Sequence, residues 1–133
     1  MRNFLWRACR NAIPTKSNLV RRRVIEDSTC SLCSHHQEDV LHALWSCPSL
    51  VQVWDDDPQW NFKNTIRFQH FPQLLHHVLE ADCNVEFFSM LVWTIWYRRN
   101  KARTSPPAML LDLVPQRAFE FLMEFQTAQP RKV

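Results

Sequence analysis

The spacing of cysteines between residues 30 and 47 constrains this chain more than any other feature. The stretch reads CSLCSHHQEDVLHALWSC. Cys30 and Cys33 are separated by two residues, and His42 and Cys47 return nine and fourteen residues after Cys33. A tight cysteine pair on a turn folds both sulfurs to one side. A histidine and a third cysteine at this distance complete a three-sulfur, one-nitrogen set, the ligand inventory of a closed tetrahedral zinc site. The alternative is a group of reduced thiols sharing an apolar core with a polar histidine. Three thiolates and one imidazole leave zinc no open position for a water, so the metal expected here is structural, with binding free energy on the order of 10 kcal/mol available to folding.

The residues between the ligands read as a short rigid element. Ser34 with Gln37 three positions on has the form of a capping box, and residues 38 to 45 continue as a helix with acidic residues in its first turn. His42 then projects from that helix, Cys47 closes it, and Pro48 prevents continuation. Glu38, four positions before His42, would share its face and could accept the second imidazole N–H, although an acidic residue at a helix start needs no such role.

Composition narrows the remainder. The chain has 133 residues, is 46% apolar and holds six tryptophans, enough for one folded domain with its own core. It contains no glycine, which disfavours glycine-dependent hairpins and phosphate-cradling loops and dismisses Rossmann and P-loop chemistry. Arg7 and Arg10 interrupt the N-terminal apolar stretch, so no signal peptide is expected, and a reduced nuclear or cytoplasmic setting fits the five cysteines. The longest apolar run, residues 87 to 97, is too short to span a bilayer, and no membrane partner is expected. The net charge of +3 is unevenly distributed: seven basic and no acidic residues precede Val24, whereas the middle of the chain is acidic and the C-terminal end basic again. Attraction for nucleic acid would therefore reside at the flanks.

In chain order, the sequence predicts a first helix to about Asn11, a break at Pro14, and a second helix from Asn18 to about Glu26 capped by Thr15 or Ser17. Arg21, Arg22 and Arg23 spread over about 200° of that helix and cannot all be buried. They are the best local candidates for phosphate contact, against the bland reading of a solvated charged face. A short apolar helix follows Pro48, and Asp55, Asp56 and Asp57 read as a solvated loop rather than a metal site. Residues 60 to 71 allow a strand or an irregular aromatic loop. A helix runs to about Ala81, carrying His76 and His77 with His70 before it, all read as surface or interfacial. Residues 85 to 101 form the longest helix and the central core element. A last helical region from Met109 restarts at Pro115, and residues 129 to 133 read as a frayed tail.

The sequence resembles a known family in three places. CSLC, an acidic residue, H-x4-C, Pro48 and then Trp54 are similar to the reverse transcriptase zinc-binding domain of plant LINE-type (non-LTR) retrotransposons. FLWRACRNAIPTKSNLVRRRVI at residues 4 to 25 and WTIWYRRNKAR at residues 93 to 103 resemble the same family. At two positions the chain departs from it, holding Ser34 and Arg23 where the family often has glycine. The resemblance implies a mainly α, small helical domain stapled by a Cys3His zinc knuckle over residues 1–103, with residues 104–133 extending as a helical linker towards an absent ribonuclease H domain. It implies structural Zn2+ on Cys30, Cys33, His42 and Cys47, and a non-catalytic accessory role in a retrotransposon polyprotein. RNA or DNA would be held near Arg21, Arg22 and Arg23, with Trp6 or Trp60 stacking on bases, beside neighbouring reverse transcriptase or ribonuclease H domains. Neither catalytic carboxylate set of those enzymes is recognisable, and HExxH and zinc-deaminase patterns are absent. The competing expectation is a zinc-stapled spacer that docks protein partners without binding nucleic acid.

Overall fold

A computed structural model describes residues 2–128; the tail expected at residues 129 to 133 lies outside the described residues. The described chain is helical, with no strand and a single isolated antiparallel bridge between Thr29 and Gln37. Six α-helices follow in order: α1 (Arg2–Cys9), α2 (Lys16–Arg21), α3 (Val51–Asp55), α4 (Phe71–Glu80), α5 (Val85–Thr104) and α6 (Val114–Ala128). The metal-ligand stretch lies between α2 and α3. No helix among the described residues is long and apolar enough to cross a membrane.

The lack of glycine shows at the helix ends. Helices commonly terminate on one residue in the left-handed region, where glycine carries no steric penalty. Here that residue is Asn11 after α1 (φ 56°), Arg23 after α2 (φ 62°) and Asp82 after α4 (φ 59°). The end of α2 is a full Schellman motif, with Val24 N–H donating to Leu19 O at 2.9 Å and Arg23 N–H to Val20 O at 2.9 Å. The helix therefore stops at Arg21, well before the expected Glu26. Its start is capped by Thr15, whose side chain accepts from Asn18 N–H at 3.2 Å.

The core is built on α5, whose stretch from Phe87 to Trp96 is apolar on most sides before the helix turns basic. Phe88, Leu91, Val92 and Ile95 are buried along it. Around Phe88 gather Trp54 (ring centroids 5.8 Å), Trp60 (5.6 Å) and Phe71 (6.3 Å), and such aromatic pairs contribute about 0.5–1.5 kcal/mol each beyond area burial. The indole N–H groups of Trp54 and Trp60 lack a hydrogen-bond partner among the described residues, a cost this cluster offsets. Trp60 is only 1% exposed, so it cannot stack on a nucleic-acid base; Trp6 is 61% exposed, with the Arg10 guanidinium 4.8 Å from its ring.

One segment differs from the strand considered for it, and the restart expected at Pro115 is present. Residues 58 to 64 form a 3-10 turn opened by Pro58, with Asp57 accepting from Gln59 N–H at 3.1 Å, rather than a strand. Pro115 falls in the first turn of α6, where its missing N–H costs nothing. Helix α6 lies along α5 and buries Val114, Ala118 and Leu122 in the same core, so packing is continuous across the boundary expected at residues 103 and 104.

Candidate metal centre

Two local structures bring the four ligands together. The first is the turn after Cys30, held by Ser34 N–H to Cys30 O (2.9 Å), Cys30 N–H to His36 O (2.7 Å) and Glu38 N–H to Ser28 O (2.8 Å). Ser34 takes φ 60° there, so both positions at which glycine was expected from the resemblance are left-handed in this chain. The second is a helical turn that begins at Val40, not Glu38. Its cap is Asp39, whose carboxylate accepts from His42 N–H at 2.7 Å; the Ser34–Gln37 capping box is not formed, because Gln37 pairs across the turn with Thr29.

From His42 to Ser46 this turn is wound as a π-helix, closed by Cys47 N–H donating to His42 O at 3.1 Å. The winding matters for the site. In an α-helix a residue five positions on sits about 140° around the axis, whereas a π turn brings it back beneath the first. Cys47 thus returns to the side that His42 occupies. Leu44 and Trp45, on the same turn, are buried, and Trp45 packs on Trp54 at 4.6 Å and Phe62 at 5.4 Å.

The ligand atoms of Cys30, Cys33, His42 and Cys47 all lie within 4.8 Å of one another. The Cys30 and Cys47 sulfurs are 4.0 Å apart, and Cys33 Sγ is 3.5 Å from His42 Nε2. A zinc–sulfur bond of about 2.3 Å and a zinc–nitrogen bond of about 2.0 Å place tetrahedral S···S and S···N pairs about 3.8 and 3.5 Å apart. The donor set therefore fits Zn2+ in number, type and spacing. Cys30 and Cys47 are buried and His42 is 7% exposed, while Cys33 is half-buried.

Electrostatics favour a cation at this point. Burial opposes ionising Cys33, yet the backbone N–H groups of His35 and His36, with the His36 and His42 rings, outweigh it and bring the thiol down to about 5. Burial pushes Cys47 up to about 12, and negative charge on Cys30 and Cys33 adds to the effect. Three clustered thiolates repel one another, and a dication removes that conflict. His36, whose Nδ1 lies 3.7 Å from Cys33 Sγ, stands beside the four rather than among them.

Glu38 is not the partner of His42. It precedes the helical turn, so the four-residue spacing does not place the two side chains on one face. Its buried carboxylate accepts from Lys16 N–H at 2.9 Å and from Arg99 Nε at 3.0 Å, and a second Arg99 nitrogen donates to it as well. The Arg99 guanidinium also lies 4.5 Å from the Trp96 ring. Glu38 thereby joins the start of α2, the ligand turn and α5. No signal within the sequence links residues 61 positions apart, whereas the Asp39 cap is legible as an acidic residue three before His42.

The other candidates stay apart from this cluster. Arg21, Arg22 and Arg23 are exposed at the end of α2, and Arg21 donates to Asn18 Oδ1 at 2.6 Å. His70 begins α4, its N–H donating to the Gln73 side chain at 3.3 Å; His76 pairs with Glu80 at 3.1 Å; His77 packs on Phe62 at 4.4 Å.

Residues 1–54 match the family described as zinc-binding in reverse transcriptase. That range holds all four ligands and ends at Trp54, short of the stretch to Arg103 over which resemblance was expected. Over 54 residues, 41% of this chain and 9% of the relative, the chain is 30% identical to a "Putative ribonuclease H protein" of Arabidopsis thaliana. The chain thus spans a small fraction of that relative's length. No solved structure matches.

Proposed function

We propose that this chain is a non-catalytic, zinc-stapled accessory domain of a LINE-type plant retrotransposon reverse transcriptase polyprotein, and that it contacts RNA or DNA. Cys30, Cys33, His42 and Cys47 hold one Zn2+ whose role is structural. The observation that carries this reading is the closed four-ligand cluster, within 4.8 Å, inside the segment that matches the reverse-transcriptase-associated family. With every coordination position filled by protein, the ion activates no water and clamps the ligand turn to the helical core. The nucleic acid is held by charge: exposed Arg21, Arg22 and Arg23, with Arg2, Arg7 and Arg10 before them, form a basic flank free of acidic residues, and Trp6 offers an exposed ring. Its partners are the neighbouring reverse transcriptase or ribonuclease H domains, and its setting is nuclear or cytoplasmic.

Elemental analysis of purified protein tests the metal and is expected to give one zinc per chain. Binding to labelled RNA and DNA tests the contact: affinity should fall steeply with salt and weaken when Arg21, Arg22 and Arg23 are changed to alanine. Salt-independent or absent binding would remove the nucleic-acid part. The second reading, a spacer that docks protein partners, draws on Phe119, Met123 and Phe125, which α6 leaves exposed. Co-purification with a neighbouring segment, without oligonucleotide binding, would favour it.

A further inference from the structure

The C-terminal half of α5 carries more positive charge than the fold uses. Arg99 is committed to Glu38, but among the described residues no carboxylate lies within ion-pair distance of Arg98, Lys101 or Arg103. Arg98 donates its Nε to Met109 O at 2.7 Å, which fixes the guanidinium at a ridge between two clefts. On one side is a cleft of about 400 Å³ between the ligand turn and α5, with Leu32, Leu50 and Ile95 in its apolar wall and Arg98, Arg99 and Arg103 as its cations. On the other is a cleft of about 220 Å³ lined by Tyr97, Arg98, Lys101, Met109, Arg117 and Phe121. The sole carboxylate lining either is Glu38, which Arg99 already neutralises, and Cys30 and Cys47 in the wall of the larger cleft are turned to the metal site. Asp112, the acidic residue nearest in sequence to the cleft-lining Leu111, lines neither.

An aromatic ring stands among these charges. Tyr97 is 41% exposed and held flat against Trp93, with centroids 5.4 Å apart and planes 15° from parallel, while Phe121 meets it edge-on at 6.3 Å. A fixed, exposed ring flanked by guanidinium and ammonium groups suits a base on the ring and phosphates on the cations. An acidic peptide would use the charges and leave the ring idle. A duplex keeps its bases stacked and could offer only phosphates.

We infer that the paired clefts on either side of Arg98 bind single-stranded nucleic acid, with Tyr97 stacking on a base and Lys101 and Arg103 contacting phosphates. This rests on the nucleic-acid reading above and names a different contact surface from Arg21, Arg22 and Arg23, none of which lines either cleft.

The test uses the zinc-loaded chain, a fluorescent oligothymidylate of about 16 nucleotides and a duplex of the same length. Three variants are compared: Lys101→Ala with Arg103→Ala, Tyr97→Leu, and Arg21→Ala with Arg22→Ala and Arg23→Ala. Tyr97→Leu keeps apolar contact with Trp93 and Phe121 while removing the stacking face, and circular dichroism verifies that each variant is folded. The double variant is expected to lower the slope of log affinity against log salt by about 1.4, since each lost single-strand phosphate contact removes about 0.7. Tyr97→Leu should weaken single-strand binding roughly tenfold and leave duplex binding nearly unchanged. Wild-type affinity in both cleft variants, with loss confined to the Arg21–Arg23 variant, would overturn this inference and leave the proposed function standing. No binding by the unaltered chain would overturn both. Binding of polyglutamate as tight as that of the oligonucleotide, unaffected by Tyr97→Leu, would assign the clefts to an acidic protein and also overturn it.

Discussion

The ligand turn at residues 28 to 47 and the aromatic core around Phe88 are held by opposite means. In the turn, four side chains converge within 4.8 Å, and the backbone is fixed by a few hydrogen bonds and the Asp39 cap. In the core, Trp54, Trp60, Phe71 and Phe88 meet through broad apolar contact with no specific bond among them. Directional chemistry concentrates stability in a few residues, so each is critical. Non-directional burial spreads it, so a single loss is tolerated. The two regions are joined chiefly where Glu38 meets Arg99 and where Leu44 and Trp45 enter the core.

Removing the metal should separate the two regions most sharply. Chelation, or Cys47→Ser, is expected to cost the turn a binding free energy on the order of 10 kcal/mol. Hydrogen exchange should then show residues 28 to 47 losing protection before the amides of α5. Equal protection with and without chelator would show that the turn is held by packing, as the core is.

Breaking the joint comes next. Glu38→Gln leaves the partly buried Arg99 guanidinium without its counter-charge, a loss of up to about 3 kcal/mol; pairing it with Arg99→Met should recover most of that. Urea denaturation of the two singles and the double measures the coupling, and additive losses would mean the two side chains act independently. In the core, Leu91→Ala should cost about 2–5 kcal/mol while leaving zinc stoichiometry unchanged. Loss of metal in that variant would make the two regions one cooperative unit.

The smallest expected effect runs the other way. Arg23→Gly and Ser34→Gly each relieve a left-handed residue, and the gain after the extra freedom of the unfolded chain is about 0.5–1 kcal/mol. Thermal melts of the two single variants decide it. Ser34→Gly acts within the turn and should raise the melting temperature of the zinc-loaded chain; a decrease would mean that the serine side chain contributes more than its backbone conformation costs.

Much of the site and the longer helices was legible. Cys30, Cys33, His42 and Cys47 are spaced within eighteen residues, a distance over which the covalent chain itself limits where side chains go, and the long apolar stretch of α5 reads as a core helix from its composition alone. Boundaries were less legible. The helical turn starts at Val40 rather than Glu38 because Gln37 is claimed by Thr29, and α2 ends early because Arg23 accepts a left-handed conformation that its identity does not advertise. Trp60 and Trp6 look alike in sequence, yet one is buried against Phe88 and the other exposed beside Arg10.

The sequence alone determined the ligand types, their order and a mainly helical chain, because those follow from spacing and local periodicity. Only the tertiary structure decided that Glu38 serves Arg99 and Lys16 instead of His42, that a π turn returns Cys47 to the side of His42, and that α6 closes the same core as α5. Each depends on which surfaces meet after distant segments have folded. A carboxylate buried away from water takes the cation that packing brings within reach, whatever its neighbours in the chain.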